Sequence, residues 1–402
     1  MVLTNGSTLL ANIGIFIAIA HIFGVEKCGS YAYHFSLASL LGLVSTFGFP
    51  IYLQRELAAD RKNFAIIHSA ALSLKIYIDL LLSSCALALP ICLPIPDPLL
   101  FYTFFASRVL LAYSTFLCCE FRIIPAFHIE SYLTAFGNSF NFICAVVAAY
   151  ATHNLRYVAF GILASQSVTL LLIILVWRWK WRKPILQFSN KGLWDTLKNN
   201  FPYAIDQGLS EFIGQLISTL IGGILGNAAL GLFQAGLRVA NGLMNFATIV
   251  FATFISRLSS LWKTDRVRFA SESNYAALAM QCLGIASGVI LICCGPLLTE
   301  LLYPPDFLPL NKLWPLFGLF VTSRFSAAAK GLLLTAAGFQ KQRVIANAAI
   351  LLVSIATFKP IAAHFNLFGV VTLQALSGFL LSLIYALIAE YYDVRRIFSR
   401  QD

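Results

Sequence analysis

Apolar runs of bilayer-crossing length recur along almost the whole of this chain, and no other feature restricts its fold so tightly. Hydrocarbon offers no water to pair backbone N–H and C=O groups, so only helices and closed barrels cross it. Barrel strands alternate apolar and polar residues; the runs here are continuous, which selects helices. A crossing helix takes roughly 20 apolar residues. The sequence predicts twelve of them, over about 4–23, 31–53, 65–91, 98–119, 129–150, 156–177, 203–224, 229–254, 275–301, 312–336, 344–364 and 368–390. Composition agrees, with 59% of the 402 residues hydrophobic and 11% charged, where soluble chains run at about 45–50% and about 25%. That balance excludes a soluble enzyme, a single-span receptor and a large extramembrane domain. The first run lacks a basic lead-in and a small-residue cleavage site, so it reads as a retained span and not a signal peptide.

Orientation follows from the distribution of Lys and Arg. With the N-terminus in the cytoplasm, 19 of the 28 fall on cytoplasmic loops and ends, while only Lys27, Arg156, Lys312 and Lys359 fall outside. A bias this one-sided supports an even number of helices and two cytoplasmic termini. It also accounts for the net charge of +11 without a nucleic-acid partner. Eight of the nine Cys lie in apolar runs with no metal-ligand spacing, so they read as small core residues and no metal or other cofactor is expected. The six His residues (His21, His34, His68, His128, His153, His364) are scattered, and no catalytic residue is expected.

Between the sixth and seventh helices, Trp177-Arg178-Trp179-Lys180-Trp181-Arg182-Lys183 interleaves rings with cations where a helix leaves the bilayer. Leu193, Trp194, Leu197 and Phe201 then form an apolar stripe beside Lys191 and Lys198, as in a short helix lying on the headgroups. This segment divides the chain into a first six-helix bundle over 1–178, a cytoplasmic interfacial linker over 179–201 and a second bundle over 202–402. The halves also repeat. Gly24-x4-Gly29-x-Tyr31 and Arg55 recur as Gly226-x4-Gly231-x-Phe233 and Arg257, at one offset of 202 residues. Six helices per half is an even number, so the halves share one orientation in the membrane.

Polar residues inside the helices carry the functional signal. Gln207, Glu211, Gln215 and Ser218 recur at four, four and three residues in the seventh helix, with Asp206 and Ser210 beside them. Gln234, Arg238, Asn241, Asn245 and Thr248 recur at four, three, four and three in the eighth. Each set shares a helical face. The first two helices add Thr4, Thr8, Asn12, Ser36, Ser39 and Thr46. Interhelical hydrogen bonds explain isolated Ser and Thr; an Arg with two Asn on one stripe fits a water-filled cavity better. Five cations lie at membrane depth (Lys75, Arg108, Arg238, Arg324, Lys330) against three acids (Asp79, Asp206, Glu211). Lys75 and Asp79, four apart, either pair as an internal salt bridge or work in coupling. Asp206 and Glu211 either bind a coupling ion, or make a structural hydrogen bond to the eighth helix or pair with Arg238. The cationic balance suits an anionic substrate, and the guanidinium fork suits phosphate.

Several short segments resemble a known family. Phe201-Pro202, the turn Leu225-Gly226-Asn227-Ala228-Ala229-Leu230-Gly231-Leu232-Phe233 and Ala235-Gly236-Leu237-Arg238-Val239-Ala240 are similar to the corresponding stretch of Wzx-type O-antigen and polysaccharide flippases. Those belong to the multidrug/oligosaccharidyl-lipid/polysaccharide superfamily of MATE-like exporters. Phe47-Gly48-Phe49-Pro50 with Arg55-Glu56-Leu57, and Leu302-Tyr303-Pro304-Pro305-Asp306-Phe307, resemble the ends of their second and ninth helices. The resemblance implies an all-α integral membrane protein of two six-helix bundles around a central cavity. It implies a carrier in the bacterial inner membrane that flips an undecaprenyl-diphosphate-linked oligosaccharide by alternating access, with membrane lipids and a polysaccharide polymerase as partners. On that reading Arg108, Arg238, Asn241, Asn245, Gln215, Arg324 and Lys330 are the candidate substrate contacts, and Asp206, Glu211 and Asp79 the candidate coupling acids.

Two other classes compete. A membrane glycan polymerase or ligase would need a sizeable outer loop, and the outer loops here are about five to a dozen residues long. A multidrug antiporter of the same fold would be expected to have an acidic cavity, whereas this one leans cationic.

Overall fold

The computed structural model describes residues 2–59, 64–92, 94–122, 127–181 and 192–392, which form helices and turns and no strand. The chain makes two compact units, Met1–Gly223 and Ile224–Asp402. The first holds α1 (Val2–Thr46), α2 (Phe49–Ala59), α3 (Phe64–Cys92), α4 (Pro98–Cys118), a 3-10 turn at Cys119–Arg122, α5 (Phe127–Thr152), α6 (Leu155–Trp181) and most of α7 (Leu193–Leu225). The second holds α8 (Asn227–Thr264), α9 (Arg266–Leu302), a 3-10 turn at Pro305–Lys312, α10 (Trp314–Ala336) and α11 (Gln340–Tyr391).

Among the described residues nine segments are long and apolar enough to cross a bilayer. Two of these hold a pair of spans each. At 45 residues, α1 is too long for one crossing, since a helix rises about 1.5 Å per residue and the hydrocarbon is about 30 Å thick. It is broken at Gly24 (φ 76°, ψ 179°), and the 52-residue α11 is broken at Asn366 (φ 50°, ψ −146°). With the shorter apolar segment Glu211–Leu225 of α7, the expected twelve are all present. The repeat is also visible in the backbone. Gly226, which precedes α8, has φ 86° and ψ 174°, nearly the angles of Gly24. A side chain at either position would be strained, because this region of φ/ψ space belongs to glycine.

Several expectations needed correction. The second helix does not run unbroken over 31–53. It stops at Thr46, turns through Phe47 (φ 39°) and Gly48 (φ 67°), and resumes as α2. The segment at 193–201 is no separate helix on the headgroups, since it is the continuous start of α7. Its Leu193 and Leu197 pack on the core of the first unit, its buried Asn200 donates a hydrogen bond from Nδ2 to the Phe47 carbonyl at 2.7 Å, and Trp194 is left exposed. Trp177 is not an interfacial anchor. It is buried among Phe49, Leu53 and Phe116 and stacks on His68, with ring centroids 5.6 Å apart, while Trp179 is exposed. The ring–cation run fixed where the helix exits but not which ring turns inward. Residues 182–191 of the expected linker lie outside the described residues.

Two polar fasteners tie the first unit together. At the start of α4, Asp97 accepts from the Leu100 N–H at 3.2 Å and from Arg156 Nε at 2.9 Å, joining α4 to the start of α6. Partial burial pushes the Asp97 carboxyl upward, but these bonds and the Arg156 charge outweigh it and hold the group below the ordinary aspartate range. Deeper in the unit, Lys75 is fully buried on α3. Its Nζ lies 3.1 Å from Asp79 Oδ2, donates to the Ser45 carbonyl at 2.9 Å and to Ser45 Oγ at 3.0 Å, and sits 4.3 Å from the Tyr113 ring centroid. The i, i+4 pair expected from spacing therefore forms, and it binds α3 to α1 and α4.

Gly24→Ala and Gly226→Ala should each cost about 1–3 kcal/mol. Gly214→Ala, in helical backbone with open space at its Cβ, should leave the detergent melting midpoint unchanged. Lys75→Met strands a buried carboxylate and should cost about 3–5 kcal/mol, while Lys75→Met with Asp79→Leu should recover most of the loss. Thermal unfolding of the five variants against the wild type measures these differences.

Candidate functional site

The site in the first unit begins with a close helix contact. Gly42, on the second limb of α1, lies so near α4 that a Cβ there would stand 2.9 Å from Arg108 Cβ. This approach sets Arg108 at the middle of α4 against α1, where its guanidinium carbon lies 4.6 Å from the Phe35 ring centroid. A ring face partly offsets the loss of water around a cation. Among the described residues Arg108 has no carboxylate partner at ion-pair distance.

Arg108 lines a cavity of about 200 Å³ with Ser39, Gly42 and Thr46 of α1, Thr115 of α4 and Glu211 of α7. Thr46 and Thr115 already donate to the carbonyls of Gly42 and Leu111. Ser39 differs. It is 2% exposed, and its Oγ has no hydrogen-bond partner among the described residues. Such a group ordinarily finds a partner, and Ser39 shares the lining of this space with Arg108. Glu211 is exposed to that space, and its charge acts on Arg108. Glu211 of α7 thus shares a cavity with Arg108 of α4, a relation between helices that no periodicity within one helix encodes.

Two further cavities adjoin. An apolar groove of about 300 Å³ runs between α1 and α7, lined by Leu40, Leu43, Val44, Phe47, Phe201, Ala204, Gly208 and Phe212, and Leu43 belongs to both it and the polar cavity. On the other side of α4, a polar cavity of about 170 Å³ holds Glu130, Thr134, Asn138, Gln166 and Thr169, and shares Leu111 and Thr115 with the Arg108 cavity. Glu130 is not among the candidate acids expected from the sequence.

Of the other candidates, Gln215 is half-buried on α7. The side chains of Asp206 and Gln207 lie outside the described residues. Asp79 is buried against Lys75 and does not line the Arg108 cavity. In the second unit Arg238 and Lys330 are half-buried and each engaged in a polar or electrostatic contact. Asn241, Asn245 and Thr248 emerge on the exposed face of α8, as the stripe predicts. Arg324 is exposed on α10 with Tyr385 as an electrostatic neighbour. No group of three or more His, Cys, Asp or Glu able to hold a metal occurs among the described residues.

The fold and the family both have known counterparts. The inward-facing conformation of a multidrug resistance MATE transporter of the MOP superfamily superposes with a TM-score of 0.79 at 13% identity, covering 98% of this chain and 96% of that one. An outward-facing conformation from the same family gives 0.67 at 14%, covering 99% and 94%. A MOP-superfamily transporter from Pyrococcus furiosus, described as having a binding pocket of reversed polarity, gives 0.67 at 13%, covering 98% and 93%. These likenesses show the fold. No curated protein matches the sequence. A family model described as polysaccharide biosynthesis protein matches residues 18–312. Twelve spans in the fold of MOP transporters, with a sequence match over most of the chain, lead to one conclusion: this is a multi-pass membrane protein that belongs to the polysaccharide biosynthesis protein family.

Proposed function

We propose that the protein is a flippase of the bacterial inner membrane that carries an undecaprenyl-diphosphate-linked oligosaccharide, an O-antigen or other surface-polysaccharide repeat unit, outward by alternating access. Both termini are cytoplasmic, the halves are joined through the segment at 179–201, and the protein is a carrier and not an enzyme. The observation that supports this reading most is Arg108, a cation at membrane depth that lines a cavity and has no carboxylate at ion-pair distance among the described residues. An arginine in hydrocarbon is retained where it meets water or an anion, and a lipid-linked diphosphate is the anion a polysaccharide pathway supplies in the bilayer. Arg324, Arg238 and Lys330 in the second unit, with Asn241, Asn245 and Gln215, offer further contacts for phosphate and sugar hydroxyls.

Glu211 gives the cycle its bias. Ionised, it competes with phosphate for Arg108; protonated, it leaves the guanidinium to the substrate. Coupling falls to Glu211 before Asp79, because the Asp79 carboxylate is committed to Lys75. Binding stays moderate this way, as release on the far side requires.

A strain lacking the protein should accumulate lipid-linked glycan at the inner face, seen by mass spectrometry. Complementation by Arg108→Ala or Arg324→Ala should leave the accumulation at normal protein level. Arg→Lys should restore part of the transport, since it keeps the charge and loses the fork. Loss of folded protein with unchanged transport per remaining molecule would make both arginines structural. Glu211→Gln should flatten the pH dependence of transport, and an unchanged rate and pH profile would remove Glu211 from the coupling step.

A further inference from the structure

The apolar groove between α1 and α7 touches the Arg108 cavity through Leu43, and nothing in the family assignment gives it a role. We infer that the two form one amphiphile site: the cavity takes the diphosphate, and the groove takes the isoprene units of the polyprenyl chain next to it. This placement rests on the flippase reading above.

The polarity of the two spaces changes abruptly across a single side chain. On one side of Leu43 the cavity is lined by Arg108, Ser39, Thr46, Thr115 and Glu211. On the other side the wall is Leu40, Val44 and Phe47 from α1 with Phe201, Gly208 and Phe212 from α7, all without charge. A free sugar phosphate would have no use for that second wall, and an ordinary hydrophobic ligand would have none for the first. A molecule whose anionic group is bonded directly to a long branched hydrocarbon matches both, in the order in which they occur. The methyl branches of an isoprenoid need width, and Gly208 supplies it: a Cβ built there meets nothing within 4 Å. Val44, Phe201 and Phe212 are exposed, so a chain can enter the groove from the side and need not thread a closed channel. By the sequence-derived orientation, Val44, Phe47 and Phe201 lie toward the cytoplasmic end of their helices, the side on which the lipid-linked unit is assembled.

The open space at Gly208 makes the test clean, because a larger residue there fills the groove without pushing on a neighbour. The full-length protein, purified into nanodiscs, is titrated with undecaprenyl diphosphate, with inorganic diphosphate and with phosphatidylglycerol. The wild type should hold undecaprenyl diphosphate at least about tenfold more tightly than inorganic diphosphate, the excess being the chain's burial. Gly208→Leu should remove about tenfold of the lipid affinity and leave inorganic diphosphate unchanged, which also shows that the variant is folded. Arg108→Gln should weaken both. Val44→Trp, at an exposed groove position, should repeat the effect of Gly208→Leu and stands in for it if that variant does not fold. Full lipid affinity in folded Gly208→Leu and Val44→Trp would place the chain elsewhere and overturn the inference, while the flippase reading survives. Equal affinity for phosphatidylglycerol would make the groove an ordinary acyl-lipid site and overturn it as well. A wild type that holds no undecaprenyl diphosphate at all would bring down the flippase reading together with the inference.

Discussion

A charge inside hydrocarbon must be solvated by something the protein provides, and the first unit meets that requirement in two opposite ways. Lys75 is enclosed by Asp79, two Ser45 oxygens and the Tyr113 ring, with no exposed surface remaining. Its pairing is complete, so it behaves as a fastener between α1, α3 and α4. Arg108, on α4, has the Phe35 ring centroid 4.6 Å from its guanidinium carbon and lines a cavity. The first arrangement holds a bundle together. The second leaves a cation at a cavity wall, and in the proposed function substrate pairs with it. Gly42 follows from the same constraint, letting α1 come near enough to α4 for Ser39 and Arg108 to line one cavity.

Much of the fold was legible because membrane helices obey two coarse rules, length and internal hydrogen bonding. The halves were legible because Gly24 and Gly226 take a backbone conformation that other residues resist, which leaves a mark in the sequence. Asn366 breaks α11 at positive φ without a glycine, so the sequence showed that break only as an interval between two apolar runs. The fate of Trp177 and of Leu193 and Leu197 was not legible. An aromatic next to a cation reads the same whether it meets headgroups or a neighbouring helix, and the core that covers these residues comes from α2, α3 and α4.

The candidate site was legible in kind and not in arrangement. Charge counting found Arg108 and periodicity found Glu211, each on its own helix. Nothing in either pattern states that the two share a cavity, because register between helices is set by packing, and here by the Gly42 contact. The same limit hid the groove beside them, whose residues read as ordinary lipid-facing or core positions. In the second unit the exposed Asn241 and Asn245 face of α8 follows the stripe closely, since a single helix contains the whole signal.

The central claim is that the protein moves a lipid-linked diphosphate glycan across a bilayer. Proteoliposomes carrying the purified protein and a fluorescent undecaprenyl-diphosphate sugar test it directly, with a membrane-impermeant quencher reporting which leaflet holds the label. The account predicts transfer between leaflets that is faster than in protein-free vesicles and is abolished by Arg108→Ala in folded protein. Transfer no faster than in empty vesicles, or equal transfer by the Arg108→Ala protein, would contradict it.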